Sequence, residues 1–257
     1  MFTILAKGHF IMKNILIIGA TSAIAVSCAR IWASEKASFF LIGRDPSKLQ
    51  QTADDLKVLG ASAVHTCILD LNDFNQHEEA LDECFSVLEI VDVTLIAHGT
   101  LPDQSECERD VTVALREFSS NGISVISLLT LLANRMVKQA SGTIAVISSV
   151  AGDRGRPSNY LYGTAKAAVS VFCEGLRARL FKSGVHVLTI KPGFVDTPMT
   201  KELPLPGLLV VSPEKIASCI DKGIAKKRNT IYAPGFWFFI MMIIKVIPEF
   251  VFKKMSL

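Results

Sequence analysis

Short runs of contiguous apolar residues alternate along this chain with longer segments in which apolar positions recur every three to four residues. The runs lie near 14–18, 37–42, 64–69, 92–97, 142–148, 185–191 and 229–232. Most are apolar throughout rather than on alternate residues, the pattern expected of strands covered on both faces. The helical segments fall near 24–34, 46–58, 74–88, 104–117, 119–139, 160–182 and 213–226. Asp45 before Pro46 and Ser212 before Pro213 supply helix-start signals. Strands alternating with helical patterns predict parallel βαβ units, hence an α/β, Rossmann-type doubly wound seven-stranded sheet with its site outside the carboxyl ends of the strands. There are no internal repeats, low-complexity tracts or linkers. The stripes Ile123, Ile126, Leu129, Leu132 and Val169, Phe172, Leu176, Leu180 read as core or interface faces.

Both ends depart from this rhythm. Lys7 and Lys13 around an apolar stretch look like a secretory leader. Removing the first twenty-eight residues would, however, take away the first strand and the turn after it. Residues 1–11 are therefore expected to be an extension, 12–233 the domain proper, and 234–257 an apolar carboxyl segment. That segment holds Phe236-Trp-Phe-Phe-Ile-Met-Met-Ile-Ile244, nine unbroken apolar residues, before Lys245 and Pro248 interrupt it. A membrane span needs about twenty, so this is no transmembrane helix. Two readings remain open. It could lie in a membrane interface with Lys245, Lys253 and Lys254 near anionic headgroups, or cover a sheet edge or an oligomer interface. The cluster Lys226-Lys227-Arg228 could add attraction, or be a solvated helix end.

Composition narrows the choice of function. At 257 residues, half of them apolar, the chain can bury one large core, and a net charge of +3 gives no reason to expect nucleic acid as a partner. The six cysteines have no CxxC spacing and the histidines no metal-ligand spacing, so reduced thiols of a cytoplasmic protein and no metal are expected.

The chemistry lies in three places. Asn14–Ile18 runs into Gly19-Ala-Thr-Ser-Ala-Ile-Ala25 and then a helix. A strand, a tight turn of small residues and a helix N-terminus together make an anion site. At the end of the second run, Gly43 stands where an acidic residue would grip a ribose 2′-OH, and Arg44 follows it. A guanidinium there suits a 2′-phosphate, which favours NADP(H) over NAD(H); stacking on adenine and competition from Asp45 are the alternatives. Third, Tyr162 and Lys166 are one helical turn apart, Ser149 ends an apolar strand, and Asn121 lies further back. An ammonium beside a phenol favours phenolate, moving a group of reference pKa about 10 toward general acid–base work, with the Ser149 hydroxyl placed to hold a substrate oxygen. This predicts carbonyl/alcohol redox chemistry.

With these motifs in order, the chain resembles the short-chain dehydrogenase/reductase family from Lys13 to about Ala233. The family's glycine motif appears as Ile18-Gly-Ala-Thr-Ser-Ala-Ile-Ala25, with alanine at both later glycine positions, and its NAG motif as Ala97-His98-Gly99. The resemblance implies that Ser149 polarises a carbonyl, Tyr162 donates the proton, Lys166 tunes Tyr162 and holds the nicotinamide ribose, and Asn121 supports a relay water. It implies cofactor contacts from Gly19, Thr21, Ser22, Ala23, Ile24, Asp70, Leu71, Gly99, Tyr162, Lys166, Pro192, Gly193, Val195 and Thr197, and a homodimer or homotetramer. The string Ser148–Tyr162 and the ending Tyr232-Ala-Pro-Gly through Ile247-Pro248 are similar to the decaprenylphosphoryl 2-keto-erythro-pentose reductases of cell-envelope synthesis. That branch implies a polyprenyl-phosphate-linked keto sugar met at the inner face of the plasma membrane, with Arg154 and Arg156 as candidate phosphate ligands and the apolar stretch 199–211 as a substrate lid. The alternatives are a reductase of 3-oxoacyl thioesters or other carbonyls, and a nucleotide-sensing or scaffold protein with little turnover.

Overall fold

The computed structural model of the protein describes residues 12–201 and 203–255, so the expected extension over 1–11 lies outside the described residues. Seven strands form one parallel sheet: β1 (Asn14–Ile18), β2 (Ser38–Gly43), β3 (Ala63–Ile68), β4 (Val93–Ile96), β5 (Thr143–Ile147), β6 (His186–Pro192) and β7 (Thr230–Ala233), in the order β3-β2-β1-β4-β5-β6-β7. Ile15 of β1 lies against Phe39 of β2 on one side and Val93 of β4 on the other, and the strand order reverses between β1 and β4, which opens a crevice at their carboxyl ends.

The run of apolar residues in β1 has a direct cause. Successive side chains point to opposite faces. Ile15 and Ile17 enter one core with helices α1 (Ala23–Ser34), α2 (Pro46–Val58) and α8 (Pro213–Ala225); Leu16 and Ile18 enter the other with α3 (His77–Leu88), α6 (Ser124–Gln139) and α7 (Tyr160–Leu180). All four are fully buried, each worth roughly 1.5–3 kcal/mol against exposure. No polar residue could alternate with them.

Starts of helices follow the expected signals. Ser22, Asp45 and Ser212 accept from the backbone N–H of Ala25, Lys48 and Lys215. The segment expected as one helix over 104–117 is two, α4 (Gln104–Arg109) and α5 (Val111–Phe118). Asp110 is extended and its carboxylate takes the N–H of Thr112 at 2.7 Å, restarting the helix. Five residues with π-type winding, Ser119–Ile123, then lead into α6. Beyond β7 the chain turns into α9 (Phe236–Val246) and the single turn α10 (Glu249–Phe252). None of the helices is long and apolar enough to cross a membrane among the described residues. All six cysteines are free.

Candidate active site

A cleft of about 490 Å³ opens at the carboxyl ends of the strands. Its closed end is made of backbone and small side chains. Gly19 has φ of +80°, and a Cβ there would lie 2.6 Å from the His98 backbone nitrogen, so this turn needs glycine for both its conformation and its clearance. Thr21, Ser22, Ala23 and Ile24 follow along the cleft wall at the N-terminus of α1. Ala23 and Ala25 sit within α1 on helical backbone with no positive φ, so alanine is tolerated where the family pattern has glycine. Asp70, Leu71 and Gly99 line the same wall, as do Pro192, Gly193, Val195 and Thr197 at the far end.

Arg44 lies exposed at this end, joined by Lys48, a second cation one helical turn on that the sequence reading passed over. Asp45 does not take Arg44 in an ion pair: its carboxylate accepts the Lys48 N–H at 3.0 Å and lies 3.8 Å from the Lys48 ammonium. The donors and clearances suit a dinucleotide. An anion faces a helix start and two cations, and the glycine at position 19 leaves room for close backbone approach.

At the centre of the cleft, Ser149, Tyr162 and Lys166 meet. Ser149 follows β5 in extended backbone, its hydroxyl accepting the Ala151 N–H at 3.1 Å and hydrogen-bonding the Tyr162 phenol. Lys166 is 3 % exposed, donates to the Ile147 carbonyl at 3.2 Å, and has its ammonium 5.7 Å from the centre of the Tyr162 ring. Burial pulls its pKa down to about 8. The expected lowering of the Tyr162 pKa by Lys166 does not occur here. Burial pushes the phenol up to about 12, and the Ser149 hydrogen bond only partly opposes it. The ammonium lies 5.7 Å from the ring centre and is itself held by the Ile147 carbonyl.

Asn121 is 1 % exposed and lies in the π-type turn. Its amide donates to the Glu117 carbonyl at 3.0 Å and the Thr100 hydroxyl at 2.9 Å, and its oxygen accepts the Thr100 N–H at 3.0 Å. A Cβ at Gly99 would lie 2.8 Å from the Asn121 oxygen and 3.4 Å from the Lys166 ammonium, so Gly99, Asn121 and Lys166 converge on one point. Next to them, Ser124 donates its hydroxyl to the Ser120 carbonyl, so at 2.8 Å it accepts from Nε2 of His98. This leaves Nδ1 of His98 buried without a partner, and burial, helped by the Lys166 charge, drops the ring's pKa to about 3. The imidazole that replaces a small residue in this loop is a neutral packing group.

The predicted arginine pair does not face the cleft together. Arg154 donates to the carbonyls of Ile244 and Ile247, both at 2.6 Å, pairs with Glu249 at 3.2 Å, and stacks over Phe252 with its guanidinium 3.7 Å from the ring centre. It caps the end of α9, whose last carbonyls lack helical partners. Arg156 is half-buried with an unpartnered Nε, and like Arg154 it does not line the cleft.

Other contacts at this end escaped the sequence reading. Trp237 of α9 lies against Gly193, where a Cβ would fall 1.9 Å from the indole, and packs edge-on against Phe194 with ring centres 5.0 Å apart. Asp153, in the turn after Ser149, holds the Lys191 ammonium at 2.6 Å and accepts the Tyr232 hydroxyl at 2.6 Å. The turn that carries Ser149 is thereby tied to β6 and β7. No signal in the sequence links residues so far apart. Among the described residues, no group of three or more His, Cys, Asp or Glu side chains could hold a metal.

Residues 13–206 match the family model described as short chain dehydrogenase. An uncharacterized oxidoreductase of Mycobacterium tuberculosis is 32% identical over 241 residues, which cover 94% of this chain and 96% of that one. A ketoacyl reductase of Nostoc, HetN, is 26% identical over 85% of this chain and 77% of its own length. A short-chain type dehydrogenase/reductase from Mycobacterium ulcerans superposes with a TM-score of 0.75 at 21% identity, covering 86% of this chain and 87% of that one.

Proposed function

Since this chain belongs to the short-chain dehydrogenase family and is an oxidoreductase of the kind that binds a nicotinamide dinucleotide, we propose that it reduces a ketone to a secondary alcohol, with NADP(H) preferred. The observation that carries this reading is the meeting of Ser149, Tyr162 and Lys166 at the centre of the cleft, with Asn121 and Lys166 converging behind Gly99. When bound, the reduced nicotinamide supplies the hydride for the carbonyl carbon. Gly19, Thr21, Ser22, Ala23 and Ile24 hold the pyrophosphate end, and Arg44 with Lys48 the 2′-phosphate. Asp70 and Leu71 border the adenine, and Gly99, Pro192, Gly193, Val195 and Thr197 the nicotinamide half.

Tyr162 supplies the proton to the carbonyl oxygen. With its pKa raised to about 12, the phenol is protonated across the neutral range and ready to donate. Ser149 holds the same oxygen by a hydrogen bond and fixes its distance from the phenol. Lys166, near 8, is mostly charged at neutral pH, and that charge favours the phenolate left after transfer. Asn121 fixes the turn behind Lys166, where a relay water returns the proton.

As substrate we propose a keto group on a polyprenyl-phosphate-linked sugar. The resemblance over Ser148–Tyr162 supports this, together with the apolar stretch beyond Pro198, in which Met199 and Leu203 are exposed. Arg154 is engaged by α9 and Arg156 does not line the cleft, so neither is retained as a ligand for the substrate's phosphate. A 3-oxoacyl thioester is the second reading, favoured by the likeness to the Nostoc ketoacyl reductase. The helical backbone at Ala23 and Ala25 argues against a scaffold that has lost its cofactor. Following NADPH oxidation with the lipid-linked keto sugar, an acetoacetyl thioester and simple ketones decides among these. Turnover confined to the sugar and lost in Tyr162→Phe supports the proposal. Turnover of the thioester alone replaces it, and cofactor binding with silence across the panel favours the sensor.

A further inference from the structure

Helix α9 has two apolar faces, and only one is packed. Trp237 and Met241 are buried, with Ile240 and Ile244 partly covered beside Val150, along the 3.6-residue period that a surface helix should show. The opposite face should then be polar. Instead it carries Phe236, Phe238, Phe239, Met242, Ile243 and Val246, all at least 38 % exposed. Lys245 is the one polar residue of the helix. Phe250 is a further 67 % exposed in α10, and Leu208 is 99 % exposed in the stretch beyond Pro198. Leu208 belongs to the same surface neighbourhood, because its neighbour Leu209 packs on the Trp237–Met241 cluster. An uninterrupted array of aromatics and long aliphatics this exposed marks a face that something else covers.

The charges around this face say what covers it. Lys245, Lys253 and Lys254 are exposed along its carboxyl end, while the nearest acid, Glu249, is already paired with Arg154. A second copy of the chain meeting this face about a two-fold axis would bring one net-positive rim against another. An anionic lipid surface complements it: the aromatic rings enter the headgroup boundary, the ammonium groups reach the phosphates, and the helix, too short to span, lies in the plane. We propose that the exposed face of α9 and α10 docks this protein on anionic bilayers. Arg154 makes the docking face rigid by holding the α9 carbonyls, and Trp237 carries it directly onto Gly193 at the cleft. Docking does not depend on which ketone is reduced.

Co-sedimentation of the full chain with vesicles tests this, using pure phosphatidylcholine and a phosphatidylcholine/phosphatidylglycerol mixture. Binding to the mixture and not to the neutral vesicles is expected. Lys253→Ser with Lys254→Ser should weaken it by roughly twenty-five-fold, about fivefold per lysine. Phe239→Ser with Ile243→Ser should abolish it while NADPH binding and the unfolding temperature are kept, since both side chains are 61 % exposed. Equal binding to both vesicle types, or binding that survives the Phe239/Ile243 change, overturns the proposal. So does a chain that stays in solution with either vesicle; if it is then a dimer that the Phe239/Ile243 change makes monomeric, the face belongs to a second copy.

Discussion

The two ends of the cleft are built on opposite plans. The end beside Gly19 is made from backbone, glycine, alanine and short polar side chains, with partners close in sequence such as Ser22 on Ala25. Behind the end beside Ser149, the chain is braced by groups that meet from far along the sequence: Trp237 on Gly193, Arg154 on Ile244 and Ile247, Asp153 on Lys191 and Tyr232. A dinucleotide presents the same phosphates to every enzyme that binds it, and a turn fixed by local geometry suffices. The region behind Ser149, by contrast, depends on a carboxyl segment held in place by tertiary contacts.

The contrast breaks most sharply at Tyr162, which should serve chemistry without serving either end's architecture. Tyr162→Phe is expected to lower kcat for ketone reduction by roughly 10²–10⁴-fold, the usual worth of a positioned general acid, with the dissociation constant for NADPH in a fluorescence titration unchanged. Next in size is Arg154→Ala. It strips charge-assisted hydrogen bonds from the Ile244 carbonyl in α9 and the Ile247 carbonyl just after it, and should cost about 1.5–3 kcal/mol. Thermal unfolding should fall by roughly 3–10 °C, and KM for the ketone should rise more than that for the cofactor. An equal rise in both would mean that the two ends are not independent. At the other end, Arg44→Ala should weaken NADPH by roughly tenfold and leave NADH nearly unaffected; an equal loss for both dinucleotides would instead assign Arg44 to the adenine. The smallest effect is on pH. Lys166 is charged below its pKa of about 8 and neutral above it, so the support it gives to the developing Tyr162 phenolate is present on the acid side. The part of the rate that depends on this charge should therefore be about halved at that pH and fall further above it. Rising activity across the same interval would transfer the role to another group.

What could be read from the sequence follows the same division. All seven strands lie within about two residues of their expected places; the five inner ones are buried on both faces and so must be apolar along their length, while the half-exposed edge strands β3 and β7 are legible from their β-branched residues and their place in the alternation. The residues expected around the dinucleotide line the cleft for a similar reason: the strand, turn and helix start that position them are contiguous. Asp110 was missed as a break because aspartate is tolerated inside a helix. Only its extended backbone and the bond to Thr112 mark a restart, although Asp103 caps α4 in the same way seven residues earlier. Arg154 was misplaced since its partners stand 90 and 93 residues away, beyond any motif. The Tyr162 expectation failed on magnitude, as the spacing to Lys166 is visible in sequence but the depth of burial that outweighs it is not.

The indole of Trp237, resting against Gly193 with a buried, unpartnered Nε1, gives the molecule a built-in optical reporter. The chain has only two tryptophans, and the other, Trp32, is locked in the core on α1 by a 3.0 Å bond to Asp221. Trp237 is the tryptophan of the carboxyl segment, so Trp237→Phe should remove the larger part of any emission change that follows vesicle binding. A shift of that segment against the sheet can thus be timed by one residue in unlabelled protein.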